Sequence, residues 1–132
     1  IMYTVADYGT FPIWHSECQL EMMNLHTGEI VNMDVVNSDR SDTYHSWSSD
    51  SRWFVFASKR GDGKYGRPYF SHVDENGRVT KPFVLPQEDP WLYEDCLRSF
   101  NIPDLSNGPV NFDAESIGQM VREVEAARFA VK

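Results

Sequence analysis

The chain has 132 residues, enough to build one ordinary domain around a core of its own. Apolar residues make up 41% of it and aromatic residues 14%, which excludes an intrinsically disordered chain. The net charge of −8 argues against non-specific nucleic-acid binding, which needs clustered Lys and Arg, and no apolar run is long enough to insert into a membrane.

The first third of the chain predicts three strands. Residues 1–6 form an apolar, β-rich run that ends at a turn, and residues 20–25 form a second run. A tight turn around Gly28 follows, because glycine tolerates the positive φ that such turns need. Residues 30–36 alternate apolar and polar side chains, as an outer strand does. Residues 37–42 predict a solvated connector; its carboxylates suit Ca²⁺, but they lack the spacing of a calcium loop.

A second series of strands follows the connector. A polar turn separates its first two strands, and the glycine-rich loop 58–66 precedes the third. A hairpin turn at Asn76 and Gly77 leads to the last strand, where Pro82 and Pro86 favour the edge of a sheet. The four predicted strands span residues 44–47, 53–57, 67–73 and 78–85.

The two series correspond to each other. Residues 2–6 match residues 54–58, and the turn at Gly28 matches the turn at Gly77 roughly one 40–50-residue period later. Such a period, with up to four strands per unit, is typical of propeller blades. The first series lacks a counterpart of residues 47–53, so we expect the chain to begin inside a blade and further blades to precede it. Exposed blade faces and edges would then favour self-association.

Residues 47–60 combine a Trp-Ser-x-Asp turn, an apolar strand and a Ser-x-Arg end. This pattern resembles the blade motif of TolB-like β-propeller repeat proteins, of a kind found in Bacteroidetes-type bacteria. Ser49 and Ser51 stand where that motif usually has proline and glycine, so the turn is a relaxed version. The resemblance covers about residues 1–90. The matching residues are Trp47, Ser48, Asp50, Phe56, Ser58 and Arg60.

The resemblance implies a mainly β fold: a partial β-propeller of about one and a half to two four-stranded antiparallel blades, with a C-terminal helical extension. In that interpretation residues 1–88 are blades, the first incomplete at its N-terminus, and residues 89–112 are a short helix and connecting loop. Residues 113–132 are an amphipathic helix, whose apolar stripe we expect to pack on the last blade, with partner docking as the alternative. Trp47 and Phe56 would fill the space between blades, and Asp50 would organise the turn.

The implied function is a non-enzymatic scaffold for protein–protein interaction in the periplasm or cell envelope. Two alternatives remain open. In the first, the chain would be the propeller portion of a larger peptidase or carbohydrate-active enzyme. In the second, it would be a propeller that senses a glycan or peptide. No nucleophile elbow, phosphate-binding glycine loop or zinc-type histidine spacing occurs in the sequence, so we expect no catalytic residues, no cofactor and no metal.

Two groups of side chains are candidates for binding. Tyr44 and His45 lie on the predicted innermost strand, beside the central channel of a propeller. The second group brackets the glycine-rich loop and predicts a cluster of donors, with surface solvation and arginine–aromatic stacking as the alternative. Its members are Arg60, Lys64, Arg67 and Tyr69. Two cysteines, Cys18 and Cys96, are compatible with free thiols or with one long-range disulfide.

Overall fold

The computed structural model describes residues 1–123, which form two antiparallel β-sheets and few helices. The first sheet has the order β1-β2-β3 and the second the order β4-β5-β6-β7, so strands adjacent in sequence are also neighbours in space. The strands are β1 (Met2–Val5), β2 (Gln19–Met23), β3 (Ile30–Val31), β4 (Asp42–Trp47), β5 (Trp53–Ser58), β6 (Arg67–His72) and β7 (Phe83–Val84). The helices are a 3₁₀ turn (Pro12–Trp14), α1 (Leu92–Asp95) and α2 (Ala114–Glu123).

The hydrophobic core lies between the two sheets. Side chains alternate along a strand, so Phe54 and Phe56 of β5 point toward the first sheet while Val55 points away. Trp47 closes one side of the core, with its ring centroid 5.2 Å from that of Phe54. Each sheet therefore buries one face against the other. The buried core residues are Met2, Leu20, Met22, Met33, Val36, Phe54 and Phe56.

The two hairpins predicted to correspond share a glycine with a positive φ and an Asn or Asp at their first position, but the turn at Gly28 is one residue longer than the turn at Gly77. Gly28 and Gly77 have φ values of 72° and 76°, a region that glycine occupies without the steric penalty of a Cβ atom. The side-chain oxygen of Asn24 accepts the His26 N–H at 2.9 Å. The carboxylate of Asp74 likewise accepts the N–H two residues later at 2.8 Å. Each turn is thus closed by its own first side chain.

The outer strands are shorter than the sequence predicted. Only Ile30–Val31 of the predicted strand 30–36 pairs with β2, and only Phe83–Val84 of residues 78–85 forms a strand with β6. After β3 the chain turns so that the carbonyl of Met33 accepts the N–H of Val36 at 2.9 Å. Both residues of this turn are buried in the core. The alternation in the sequence therefore reflects a core-facing turn and not a continuous strand.

The helical extension also differs from the expectation. The helix predicted within residues 89–100 is confined to Leu92–Asp95. In α2 no residue is buried, and the apolar side chains of Ile117, Met120 and Val121 are exposed, so the expected packing of this helix on the last sheet is wrong for the described residues. The remainder of the predicted helix, including Val124 of the apolar stripe, lies outside the described residues. No helix within residues 1–123 has the length and apolarity needed to cross a membrane.

Candidate functional site

The Trp-Ser-x-Asp turn is organised by its own side chains, as its sequence predicted. The Ser48 hydroxyl donates to the Asp50 carboxylate, which also accepts the Arg52 N–H at 3.0 Å. These two bonds hold the pKa of Asp50 below its ordinary value. Ser51 has a φ of 57°, a conformation that glycine adopts more readily than serine. The turn positions the start of β5.

Arg60, at the end of the Ser-x-Arg motif, is directed into the protein. Its Nε donates to the Ser58 hydroxyl at 2.7 Å, and its Nη2 donates to the Val36 carbonyl at 2.6 Å. The guanidinium also lies 4.5 Å from the centre of the Tyr69 ring. Its Nε and Nη2 donors are used within the protein, and Arg60 does not line the pocket that Arg67 and Tyr69 share, so it is not part of the predicted cluster of ligand donors.

Asp42 is the counter-charge of Arg60. Its side chain is 0% exposed, and its Oδ1 accepts the Arg60 Nη2 at 2.9 Å. Its Oδ2 accepts both the N–H and the hydroxyl of Ser38, at 2.6 and 2.8 Å. The expectation of a solvated connector is therefore wrong for its last two residues, Ser41 and Asp42, which are buried. An arginine in the Ser-x-Arg position needs a carboxylate nearby, and that requirement is the signal that could have identified Asp42.

Tyr44 and His45 lie in a β-bulge on β4, an edge strand of the second sheet. The pairing of β4 with β5 shifts between Thr43 and Ser46, and Tyr44 adopts a positive φ of 48°. Both side chains are half-buried, and burial lowers the pKa of His45. A bulge redirects side chains at a sheet edge. These two candidates are thus neighbours of each other, and they do not line the pocket formed by Arg67 and Tyr69.

Arg67 anchors the segment that we call the strap, residues 89–104. Its side chain donates three hydrogen bonds to backbone carbonyls of the strap, and the residue is only 6% exposed. Its guanidinium carbon lies 5.3 and 5.5 Å from the ring centres of Tyr65 and Tyr93. Within residues 1–123 it forms no ion pair with a carboxylate. The acceptors are the carbonyls of Tyr93 (2.6 Å), Cys96 (2.8 Å) and Arg98.

Backbone and side-chain contacts fix the strap further along. The Phe100 N–H donates to the Gly66 carbonyl at 2.9 Å, and the Gly66 N–H donates to the Ser99 hydroxyl at 3.1 Å. At the far end the Ser46 hydroxyl donates to the Asp104 carboxylate. Residues 100–104 of the strap therefore cross the outer face of the second sheet from β6 to β4. A groove of about 250 Å³ remains beneath it, lined by Val55, Pro68, Phe70, Leu85, Phe100, Asn101, Ile102, Pro103 and Asp104.

A pocket of about 490 Å³ opens between the glycine-rich loop and α1. Burial raises the pKa of the Tyr69 and Tyr93 hydroxyls, so both are neutral donors at physiological pH. Burial acts to raise the pKa of Asp62, but the N–H groups of Tyr65 and Lys64 more than offset it and lower that pKa. The lining residues are Gly61, Asp62, Tyr65, Arg67, Tyr69, Val84, Pro90, Tyr93 and Glu94.

The sequence identified part of this pocket. Arg67 and Tyr69 line it as members of the predicted group, whereas the exposed Lys64 does not. Tyr65 and Tyr93 were missed. Tyr65 sits inside the glycine-rich loop, and aromatic residues flanking an arginine are a usable signal of stacking. No local signal connects Tyr93 with Arg67, because their contact depends on how the strap folds back.

The two cysteines are free thiols in the structure, Cys18 buried and Cys96 half-buried. Burial is the first cause that raises the pKa of Cys18, and the nearby carboxylates of Glu17 and Asp7 add to it. Among residues 1–123 no group of three His, Cys, Asp or Glu side chains is arranged to hold a metal ion.

The chain matches no protein-family model, no curated protein and no solved structure. Its function is accordingly inferred from the contacts described above.

Proposed function

We propose that the two sheets are neighbouring blades of a TolB-like β-propeller and that the protein is a non-enzymatic scaffold for protein–protein contacts in the cell envelope. The observation that carries this proposal is the shared core, in which each sheet covers one face of the other. Propeller blades stack in this way because a single blade leaves both of its faces uncovered. The sequence resemblance over residues 47–60 supports the same family.

The contacts of Arg60 beside the shared core support a scaffold role. Arg60 reaches from the end of β5 to the Val36 carbonyl and to Asp42, so a charged network lies where the connector passes between the sheets. Such a network, with its polar groups satisfied, holds one arrangement of the two layers. A scaffold needs this rigidity, since binding to a preformed surface avoids an ordering cost.

An exposed aromatic cluster supplies a contact surface. Trp53 is 39% exposed and Phe83 is 46% exposed, with ring centroids 6.3 Å apart on the outer face of the second sheet. The Phe70 ring stacks on Phe83 at 5.9 Å, and His72 lies 4.8 Å from Trp53. Aromatic side chains contribute most to protein interfaces because they bury a large area with little loss of side-chain freedom. We assign this cluster to a protein partner.

Photo-crosslinking in living cells tests the proposal. A benzophenone amino acid at Trp53, in the full natural protein, should crosslink one envelope protein, and that protein, once purified, should bind the chain. Phe83→Ser should weaken the binding about tenfold or more, as truncation of an aromatic anchor does. The matched control is Ile30→Ser, which alters another exposed apolar residue (57%), on the edge strand of the first sheet.

Two results would overturn the proposal. One is a crosslink that forms only within the same chain, since the cluster would then be covered by another part of the protein. The other is release of peptide or sugar products from envelope material by the purified full-length protein, which would assign it to an enzyme class instead.

A further inference from the structure

We propose that the pocket between the glycine-rich loop and α1 binds a neutral sugar unit of an oligosaccharide. This pocket and the aromatic cluster assigned to a protein partner lie on opposite faces of the second sheet, so the inference is independent of the scaffold role. Its volume of about 490 Å³ falls within the range of sites that hold small ligands. Its walls combine three tyrosine rings with one guanidinium and two carboxylates.

The polar groups of the pocket are fixed before any ligand arrives. Three of the five N–H groups of Arg67 bond to strap carbonyls, which holds the guanidinium between Tyr65 and Tyr93. Its Nε donates to no group of the described residues and remains a donor for a ligand. Asp62 is held in turn by the N–H groups of Lys64 and Tyr65, at 2.7 and 2.9 Å. Such preorganisation strengthens binding because less ordering accompanies it.

The mixture of surfaces points to a sugar. A pyranose ring has an apolar C–H face, which packs on tyrosine rings, and a rim of hydroxyls that both donate and accept hydrogen bonds. Asp62 and Glu94 can accept from these hydroxyls, and Arg67 can donate to them. The hydroxyls of Tyr65 and Tyr69 form no hydrogen bond with the other described residues, so they can do both.

The charges of the pocket favour a neutral ligand. Its two carboxylates, Asp62 and Glu94, face one guanidinium, Arg67. An anionic sugar would be repelled, because the two negative charges of the carboxylates outnumber the one positive charge of the arginine. A lysine side chain would contact the carboxylates but would also meet the buried, fixed charge of Arg67. A neutral, hydroxyl-rich ring avoids both repulsions and can bond to the hydrogen-bond donors and to the acceptors of the pocket.

The test uses calorimetry and tyrosine fluorescence on the full chain with four trisaccharide or tripeptide probes. Two are neutral, a β-1,4-glucose trimer and an N-acetylglucosamine trimer; the others are a galacturonic acid trimer and trilysine. We expect one neutral trimer to bind and to change the tyrosine emission. Tyr65→Ala should weaken that binding about tenfold, whereas Tyr65→Phe should retain most of it because the ring face remains.

Tyr65→Ala could reduce binding simply by disturbing the glycine-rich loop, so two further variants test the pocket independently. Glu94→Gln changes an exposed side chain and should weaken binding severalfold through loss of a charged acceptor, with no effect on folding. Tyr8→Ala removes a ring that is 72% exposed and outside the pocket, and it should leave binding unchanged. The proposal is overturned if neither neutral trimer binds at millimolar concentration, if only the acidic trimer or trilysine binds, or if Glu94→Gln and Tyr65→Ala both bind normally.

Discussion

The second sheet carries two arginines whose surroundings differ. Arg60 pairs with a buried carboxylate on the side that faces the first sheet, and it reaches the connector between the sheets. Arg67 lies on the same face of the sheet, because it pairs with Ser58 while Tyr69 pairs with Phe56, but it bonds only to carbonyls of the strap. Arg60 joins the second sheet to the core-facing turn of the connecting chain through the Val36 carbonyl, whereas Arg67 holds a backbone segment that lies outside both sheets. The first attachment should therefore be global and the second local.

Removing the counter-charge of Arg60 should have the largest effect. Asp42→Asn leaves the guanidinium beside a neutral amide in a largely buried position, and breaking such a pair costs about 3 kcal/mol or more. Urea unfolding followed by tryptophan fluorescence measures the loss. Both sheets should lose hydrogen-exchange protection together, since the network lies between them.

Two controls sharpen this result. Asp39→Asn neutralises an exposed carboxylate of the same connector and should change the free energy of unfolding by less than about 0.5 kcal/mol. The double variant Asp42→Asn with Arg60→Met should recover part of the stability, because it removes the unpaired charge. Equal stability of Asp42→Asn and Asp39→Asn would contradict a structural role for the pair.

Arg67→Lys should have an intermediate and local effect. A single ammonium cannot reach the three carbonyls that the planar guanidinium contacts, and it loses the stacking on Tyr65 and Tyr93. We expect about 2 kcal/mol less stability for the strap, which corresponds to roughly 30-fold faster exchange of the Phe100 amide. Amides of β1 and β2 should be unaffected. A uniform loss of protection in both sheets would show that the strap is part of the global fold.

The sequence predicted the inner strands because their signals are local. Residues 53–57 were expected as a strand from their aromatic and β-branched side chains, and β5 is Trp53–Ser58. The turn glycines at 28 and 77 were likewise predicted from positions that need a positive φ. The prediction of an outer strand over residues 30–36 was wrong because of tertiary packing. Met33 and Val36 are both buried in the core between the sheets, and the turn that places them there ends the strand after Val31.

The candidate site was predictable only where its parts are adjacent in sequence. Arg67 and Tyr69 stood out because they follow the glycine-rich loop. The partners of the two arginines come from far along the chain: Asp42 lies 18 positions before Arg60, and the Tyr93 carbonyl 26 positions after Arg67. Neither separation in sequence follows from a repeat period or a motif, because each contact depends on how the connector or the strap folds over the sheet.

Acidification should release the far end of the strap while the arginine end stays closed. The Ser46 hydroxyl and the Leu105 N–H donate to Asp104 and lower its pKa below the ordinary value of 3.8. A carboxyl with a lowered pKa in the folded state stabilises the strap above its ordinary pKa, and this contribution disappears as the pH falls through the lowered value. The effect should be small, because the Asp104 carboxylate is exposed. Following the Leu105 amide by NMR from about pH 5 to pH 2 should give a midpoint below 3.8 in the wild type and no transition in Asp104→Asn. A wild-type midpoint at or above the ordinary value would mean that Ser46 does not hold the strap, and that Arg67 is its sole charged anchor among residues 1–123.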